Sequence, residues 1–188
     1  MNTKLANIAN FKLGHFFREA IKFDASGEVL IITPKVVEGD ALNLNLAGKM
    51  KERNFKQNAF LESKDVIINT RLNFRAVLYN GSQKSIATSP LVVIKVKNQE
   101  EVLPEYLSIF LNLKKTQNAI LKVADVGAVR FVSLAELKNL EIFVPCLERQ
   151  KKVVDFYSLA TRQIEDYKKV LLLKEAIKNK VLNNFVYE

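Results

Sequence analysis

Basic and amide side chains are concentrated between residues 49 and 84 of the sequence. This stretch holds eight Lys and Arg residues against three Asp and Glu residues, with Asn and Gln residues interspersed. Lys and Arg neutralise phosphates, and all four of Lys, Arg, Asn and Gln can hydrogen-bond to the edges of bases. The stretch therefore favours contact with a nucleic acid, although a basic face that contacts only water has the same composition.

The motifs of enzymes that act on nucleotides are missing from the sequence. It has no Gly-x-x-x-x-Gly-Lys phosphate loop, no Gly-x-Gly-x-x-Gly turn and no Asn-Pro-Pro-aromatic run of the amino-methyltransferases. Asp65 is not followed by the Glu-x-Lys of a magnesium-dependent nuclease. Two other acidic pairs lie in turn-like contexts, namely Asp24 with Glu28 and Glu38 with Asp40. We expect no catalytic residue and no metal site in this chain; a stand-alone nuclease is the weaker alternative.

The single histidine and the single cysteine do not indicate a reactive site. His15 stands beside Phe16 and Phe17, a setting in which a histidine is more often packed than catalytic. Cys146 has no catalytic partner nearby in the sequence, so we expect a small buried hydrophobic residue. One cysteine also excludes an internal disulfide and a cysteine-based zinc site.

Length and charge restrict the class of protein further. The 188 residues carry a net charge of +9, and 48% of them are hydrophobic. This composition is typical of a folded domain, and the charge favours a polyanion such as DNA, RNA or an anionic membrane. The apolar runs fall far short of the roughly 20 residues of a membrane span, and the N-terminus has no secretory signal. We therefore expect a cytoplasmic protein without a membrane partner.

The first hundred residues predict strands separated by turns. Asn80-Gly81-Ser82 is a turn signal, and Thr33-Pro34 predicts a short helical turn. The β-branched and aromatic runs that predict strands cover residues 29–32, 65–70, 74–79 and 91–96.

Helical signals dominate from residue 103 onwards. Pro104 begins a helix with apolar residues every three or four positions, and Ser133 with Glu136 forms a capping box at the start of a short helix. Residues 140–144 alternate like a strand, which Pro145 ends.

One long helix is predicted over residues 147–188, which contain neither Gly nor Pro. At 1.5 Å per residue it is roughly 60 Å long, more than the diameter of a small domain. Part of its apolar stripe must therefore contact another helix, unless the helix folds back on its own domain. The residues expected to pack in a dimer are Ile164, Tyr167, Leu171, Ile177, Val181 and Phe185.

Four segments, taken in order, carry a resemblance to a known family. Residues 4–9 match its opening, residues 64–71 its Gly-Asp-Val-Leu…Arg-Gly strand, residues 103–107 its Pro-x-Tyr-Leu helix start, and residues 140–150 its Ile-x-Leu-Pro-Pro-Leu-x-x-Gln junction. Together they resemble one half of the specificity (S) subunit of Type I restriction–modification systems. Lys64 and Leu72 replace two glycines of the strand motif, and Cys146 replaces the second proline of the junction.

The resemblance implies an α+β fold in two parts. A β-rich target-recognition domain with short helices is expected over residues 1–146, followed by a long coiled-coil-type dimerisation and spacer helix over residues 147–188. The usual chain of the family holds two such domains and two such helices. This sequence is therefore interpreted as a half-length subunit that homodimerises, as an accessory cassette or as an excised fragment; the Met1 start and the single helix favour the first.

The resemblance also implies partners. The chain is expected to recognise double-stranded DNA, while modification subunits with S-adenosylmethionine methylate adenine and a restriction subunit with ATP translocates and cuts. This chain itself is expected to bind no cofactor. Two copies joined through antiparallel helices read the same half-site twice, which predicts a palindromic target with an unread spacer. The alternative is a non-enzymatic coiled-coil adaptor with a basic surface.

The DNA contacts are expected mainly within the basic stretch. Arg71 could instead be structural, because it matches the family motif whereas target-reading positions vary between members. Lys122 and Arg130 flank Gly127 and are expected to contact phosphates of the DNA. Within residues 49–84, the DNA contacts are expected first at Arg71, Asn73, Arg75 and Lys84, and second at Arg53, Lys56 and Lys49.

Overall fold

The computed structural model describes residues 1–39, 41–52, 55–71, 73–125 and 130–187. Its contacts divide the chain into two compact units, Met1–Gln150 and Lys151–Glu188. Helices account for 45% of the described residues and strands for 23%, so the predicted α+β class is confirmed. None of the helices in the described ranges combines the length and the apolar character that a membrane span requires.

The described residues form short strands, short helices and one long helix. The strands are β1 (Asn2–Lys4), β2 (Ala9–Leu13), β3 (Val29–Ile32), β4 (Gly48–Met50), β5 (Asp65–Asn69), β6 (Ala76–Tyr79), β7 (Ser85–Ala87), β8 (Leu91–Val96) and β9 (Glu141–Phe143). The α-helices are α1 (Leu5–Ile8), α2 (Pro104–Asn112), α3 (Lys114–Val123), α4 (Leu134–Asn139) and α5 (Leu147–Tyr187). Three 3₁₀ helices cover Pro34–Val37, Leu44–Leu46 and Gln57–Ala59.

A four-stranded antiparallel sheet in the order β2-β8-β5-β6 separates two hydrophobic cores of the first unit. Consecutive side chains of a strand point to opposite faces. Val66 and Ile68 of β5 therefore pack into one core together with Leu107 of α2, whereas Ile67 packs into the other beside Val36. Burial on both faces explains why residues 66–68 in the middle of β5 are a continuous apolar run and not an alternating one.

Two smaller sheets complete the first unit. In one, β3 pairs with β4 in the antiparallel and with β7 in the parallel direction. In the other, β1 pairs with β9, so that Thr3 lies opposite Ile142. The amino group of Met1 also donates a hydrogen bond to the carbonyl of Val144 (2.9 Å). The N-terminal strand is thereby joined to the segment that leads into α5.

Helix α2 protects the edge of the main sheet. Strand β6 is an edge strand, and a backbone group that faces outward from such a strand has no partner within the sheet. The side chain of Asn112 supplies that partner for Ala76: its Nδ2 donates to the carbonyl (2.6 Å), and its Oδ1 accepts from the N–H (3.0 Å).

The predicted start of α2 at Pro104 is confirmed, and so is the capping box of Ser133 and Glu136 at α4.

Gln150 anchors the first turn of α5 within the first unit. Its side chain is fully buried and accepts a hydrogen bond from the N–H of Leu103 (2.9 Å). It donates to the carbonyls of Glu101 and Pro145 (2.8 Å each). A buried amide needs all of these partners, because each unpaired group costs about 1–3 kcal/mol. The predicted long helix begins at this anchored turn and is confirmed over Leu147–Tyr187.

Two expectations from the sequence were wrong. The strand predicted over residues 74–79 begins only at Ala76, because Phe74 has a φ angle of 48°, outside the range of a strand. Cys146 was expected to be buried but is exposed. It lies in the connection between β9 and α5, where neither neighbouring element covers it.

Candidate nucleic-acid interface

The turn between β5 and β6 is shaped by two asparagine side chains. Oδ1 of Asn69 accepts a hydrogen bond from the N–H of Arg71 (3.0 Å), and Oδ1 of Asn73 accepts one from the N–H of Arg75 (3.1 Å). Asparagine stabilises turns through such short-range bonds. The side-chain carbonyl of Asn73 is thus used to hold the turn that presents the two arginines.

A second segment of the chain lies against this turn. Phe131 forms an isolated antiparallel bridge with Arg71, and the N–H of Val132 donates to the carbonyl of Thr70 (3.0 Å). Arg130 directly precedes Phe131. The structure therefore brings two of the predicted arginines to the same place, although they are distant in the sequence.

The end of helix α3 belongs to the same region. Phe131 also forms a bridge with Asp125, and the N–H of Asp125 donates to the carbonyl of Phe131 (2.9 Å). Lys122 lies in the last turn of α3, three residues before Asp125. The predicted loop glycine, Gly127, lies outside the described residues, as does the predicted site residue Arg53.

Five of the predicted residues thus form one group, which we call the turn site. Three of its side chains are exposed, those of Arg71, Lys122 and Arg130, while those of Asn73 and Arg75 are half-buried. Phe131 is 40% exposed and adds apolar surface next to the cations. Cations beside an exposed ring can contact both the phosphates and the bases of a nucleic acid. The turn site consists of Arg71, Asn73, Arg75, Lys122 and Arg130.

Lys49 and Lys84 lie elsewhere, on either side of β3. Leu30 is the Cα partner of Lys49, and its N–H donates to the carbonyl of Lys84 (2.9 Å). Lys84 directly precedes β7. The backbone carbonyl of its neighbour Gln83 accepts a hydrogen bond from the hydroxyl of Tyr79 (2.7 Å). Tyr79 pairs with the first residue of β5, whereas the turn site follows the last. Since each residue of β5 spans about 3.3 Å, Lys49 and Lys84 lie more than about 10 Å from the turn site.

Lys84 is also engaged by a carboxylate. Its Nζ lies 2.8 and 2.9 Å from the two oxygens of Glu52, and 5.9 Å from the centre of the Phe60 ring. Both charged side chains are partly exposed, so the pair itself adds little stability. The carboxylate nevertheless offsets the positive charge that Lys84 can offer to a phosphate.

A cleft of about 500 Å³ that sequence reasoning missed is lined by residues 12–16, 55–56 and 58–59. His15 is packed there as expected, edge-to-face against Phe17 and Phe55, with ring centres 4.7 and 5.3 Å away. Lys56, a predicted site residue, lines the same cleft. The signal for this cleft was present in residues 11–23, where phenylalanines alternate with Lys, His and Arg.

A group of four charged side chains lies next to the cleft. Nζ of Lys12 donates to the carbonyl of Phe60 (2.7 Å), and burial lowers the pKa of this lysine. Burial raises the pKa of Asp65, whose Oδ2 accepts from the N–H of Glu62 (2.8 Å). A hydrogen-bonded ion pair with Lys95 lowers the pKa of Glu62. The two positive and two negative charges balance one another. The contacts of these side chains connect β2, β5 and β8 of the main sheet to the loop that forms the cleft.

Within the described ranges, no three His, Cys, Asp or Glu residues are grouped as a metal site would require.

The second unit presents an unpartnered apolar surface. The six residues predicted to pack in a dimer all lie in α5 and are exposed; they are Ile164, Tyr167, Leu171, Ile177, Val181 and Phe185. At 100° per residue they fall on one side of the helix. The consecutive residues 170–173 are apolar in every direction around the helix axis, and all four are exposed.

Comparison with known proteins gives a family match. Residues 1–179 match the model described as Type I restriction modification DNA specificity domain. None of the curated proteins compared with the chain matches it.

Solved structures show the same fold at low sequence identity. The S subunit of a Type-I restriction–modification system from M. genitalium has a TM-score of 0.62 and 13% identity, over 88% of this chain and 40% of that one. A chain from a study of complex assembly and conformational transition of the type I R-M system has a TM-score of 0.71 and 15% identity, over 96% of this chain and 43% of that one. The HsdS subunit from Thermoanaerobacter tengcongensis has a TM-score of 0.61 and 16% identity, over 90% and 39%. The chain thus spans about two fifths of these relatives.

Proposed function

The chain belongs to the family of Type I restriction modification DNA specificity domains, and we propose that it recognises one half-site of a double-stranded DNA target. The extent of the family match carries this proposal. Residues 1–179 include the whole first unit and most of α5. A folded recognition unit and a long helix therefore both belong to the matched region.

The turn site supports the proposal with suitable chemistry. Three exposed cations, Arg71, Lys122 and Arg130, are carried by separate segments that backbone hydrogen bonds hold together. Contacts to phosphates from such side chains set the register of a protein on a duplex, while Arg and Asn contacts to base edges read the sequence. Because backbone bonds join these segments, the three cations are carried by one region of the surface.

The exposed apolar side of α5 supports a homodimer. The helix has 41 residues and is therefore about 60 Å long. Its apolar residues lose contact with water when a second copy packs against them, at about 25 cal/mol per Å² of buried apolar surface. Two copies then read the same half-site twice, so the proposed target is a palindrome with an unread spacer.

Further partners follow from the same proposal. Residues 170–173 are apolar around the whole helix, and a helix of this kind is normally surrounded by partners. We assign the additional partner helices to modification subunits, which bring S-adenosylmethionine, and we assign the ATP-driven step to a restriction subunit. The chain itself then carries out no catalysis and binds no cofactor, and its DNA target places it in the cytoplasm.

Selection from duplex DNA with a randomised central segment tests the recognition function. We expect the purified chain to enrich one palindromic sequence and to retain it in the presence of excess competitor DNA. A chain that binds all duplexes equally, or none, would instead be an adaptor with a basic surface. Metal-dependent cutting by the chain alone would contradict the assignment of catalysis to partners.

Co-purification tests the assembly. The chain is expressed with a candidate methyltransferase subunit, and the methylated sites are then mapped. We expect a stable complex that methylates the sequence selected by the chain alone. Methylation at an unrelated sequence would show that the specificity lies elsewhere.

A further inference from the structure

Backbone contacts hold one wall of the cleft rigidly. The N–H of Gly14 donates to the carbonyl of Leu91 (2.8 Å), and the N–H of His15 donates to that of Ala87 (2.7 Å). The approach is so close that a Cβ atom at Gly14 would overlap the carbonyl oxygen of Thr88. Only glycine fits there. Phe16 directly follows His15 and therefore extends from a backbone that these hydrogen bonds hold in place.

The opposite wall is joined to the first. The ring of Phe55 packs against His15, and Lys12 donates to the carbonyl of Phe60. Between these connections the 3₁₀ helix Gln57–Ala59 places Asn58 on the cleft. Both walls are thus fixed relative to each other, and the space between them exists before a ligand enters.

The lining of the cleft is aromatic, polar and basic. Phe16 is 73% exposed, so its ring is available to a ligand. Lys56 and Asn58 are exposed, and neither makes a side-chain hydrogen bond or ion pair within the described part of the chain. The ionisable groups that line the cleft are Lys12, His15 and Lys56, and none of the described lining residues is acidic. An apolar ring, an amide and a cation together match the face, the edge and the phosphate of a nucleotide.

One wall of the cleft, residues 14–16, lies at the same end of the sheet as the turn site. The carbonyl of His15 accepts a hydrogen bond from the N–H of Ser89 (3.0 Å), and the hydroxyl of Thr70 donates to the carbonyl of Pro90 (2.6 Å). Thr70 directly precedes Arg71 of the turn site. One turn of the chain therefore supports both surfaces.

We propose that this cleft is a second base-reading surface, which works with the turn site on the same DNA half-site. The inference rests on the proposed DNA recognition. Phe16 makes an apolar contact with a base, for which the methyl group of thymine is suited. Asn58 hydrogen-bonds to a base edge, and Lys56 contacts a phosphate. Lys12 is a positioning residue, because it joins the two walls.

The test compares variants in selection and binding on duplex DNA with a randomised central segment. We expect Phe16→Ala and Asn58→Ala each to lose the preference at one base-pair position of the selected sequence, with roughly 5- to 100-fold weaker binding to it. Binding to unselected duplexes stays unchanged. Lys56→Gln weakens binding to all duplexes alike and lowers the salt dependence by about one unit. The control is Lys115→Gln, an exposed lysine in the first turn of α3.

The outcomes separate this inference from the proposed function. If the wild-type chain selects a sequence and all three cleft variants select and bind it as the wild type does, the cleft is not a reading surface. If the wild-type chain selects no sequence, the proposed function and this inference both fail. All three substituted residues are exposed, so folding is expected to be preserved, and circular dichroism checks it.

Discussion

The hydroxyl of Thr70 donates a hydrogen bond of 2.6 Å to the carbonyl of Pro90. Thr70 follows the last residue of β5 and directly precedes Arg71 of the turn site, whereas Pro90 precedes β8 and belongs to the turn that also holds His15. A single side chain thus joins the two surfaces to which we assign DNA contacts. The geometry of both depends on this contact.

The first prediction concerns that contact. Thr70→Val keeps the shape of the side chain but leaves the carbonyl of Pro90 without this donor. We expect a loss of about 1–2 kcal/mol in the free energy of unfolding, measured by urea denaturation. Thr161→Val, on α5, is the matched control and is expected to change stability by less than about 0.5 kcal/mol. Equal effects of the two substitutions would contradict the structural role of Thr70.

The second prediction compares cations of the turn site with Lys84. Arg71→Gln and Arg130→Gln remove exposed charges, and we expect weaker DNA binding with a salt dependence lower by about one unit for each lost phosphate contact. Where an arginine reads a base instead, its replacement costs about 1–3 kcal/mol of binding free energy, and only at one base-pair position of the target. Lys84→Gln is expected to have a smaller effect, because Glu52 already offsets its charge. Titrations at several salt concentrations measure this, and a larger effect at Lys84 would relocate the interface.

The third prediction concerns the apolar side of α5. Leu171→Glu places a charge on that side, and we expect the dimer to dissociate into monomers in analytical ultracentrifugation. Asn183→Glu introduces the same side chain on the opposite side of the helix, about 170° from the middle of the apolar side at 100° per residue, and serves as the control. A chain that is monomeric before substitution would show that α5 packs against other partners.

The fourth prediction concerns the separation of half-sites. Each heptad inserted into α5 lengthens the helix by about 10 Å, which corresponds to about three base pairs. We expect the unread spacer of the selected sequence to lengthen while both half-sites stay the same. Substituting residues without changing the helix length is the control. A constant spacer would show that the helix does not set the distance.

The fifth prediction concerns pH. Burial raises the pKa of Asp65 above its ordinary value of 3.8, so the folded state binds its proton more tightly than the unfolded chain does. The stability of the wild type relative to Asp65→Asn should therefore increase as the pH falls through the folded pKa towards 3.8. Asp24 provides the opposite case, because hydrogen bonds from Ser26 lower its pKa. The stability of the wild type relative to Asp24→Asn should decrease with falling pH, and urea unfolding at several pH values measures both.

The sequence by itself determined the elements whose signals are local. The absence of Gly and Pro after residue 147 predicted α5, Pro104 and the capping box at Ser133 predicted two helix starts, and β-branched runs predicted the main strands. These predictions succeeded because propensity and capping act within a few residues. The basic stretch was also visible, since charge can be counted without knowing the fold.

Only the tertiary structure decided which of those charges lie together. An isolated bridge paired Phe131, which follows Arg130, with Arg71, while Lys84 lies at the other end of the hairpin, next to Glu52. It also brought His15 to the turn that Thr70 contacts, which created the cleft. The exposure of Cys146 was likewise set by its place between β9 and α5. Such contacts join residues that are far apart in the chain, so no local pattern encodes them; they arise when the apolar strands pair and bury their side chains.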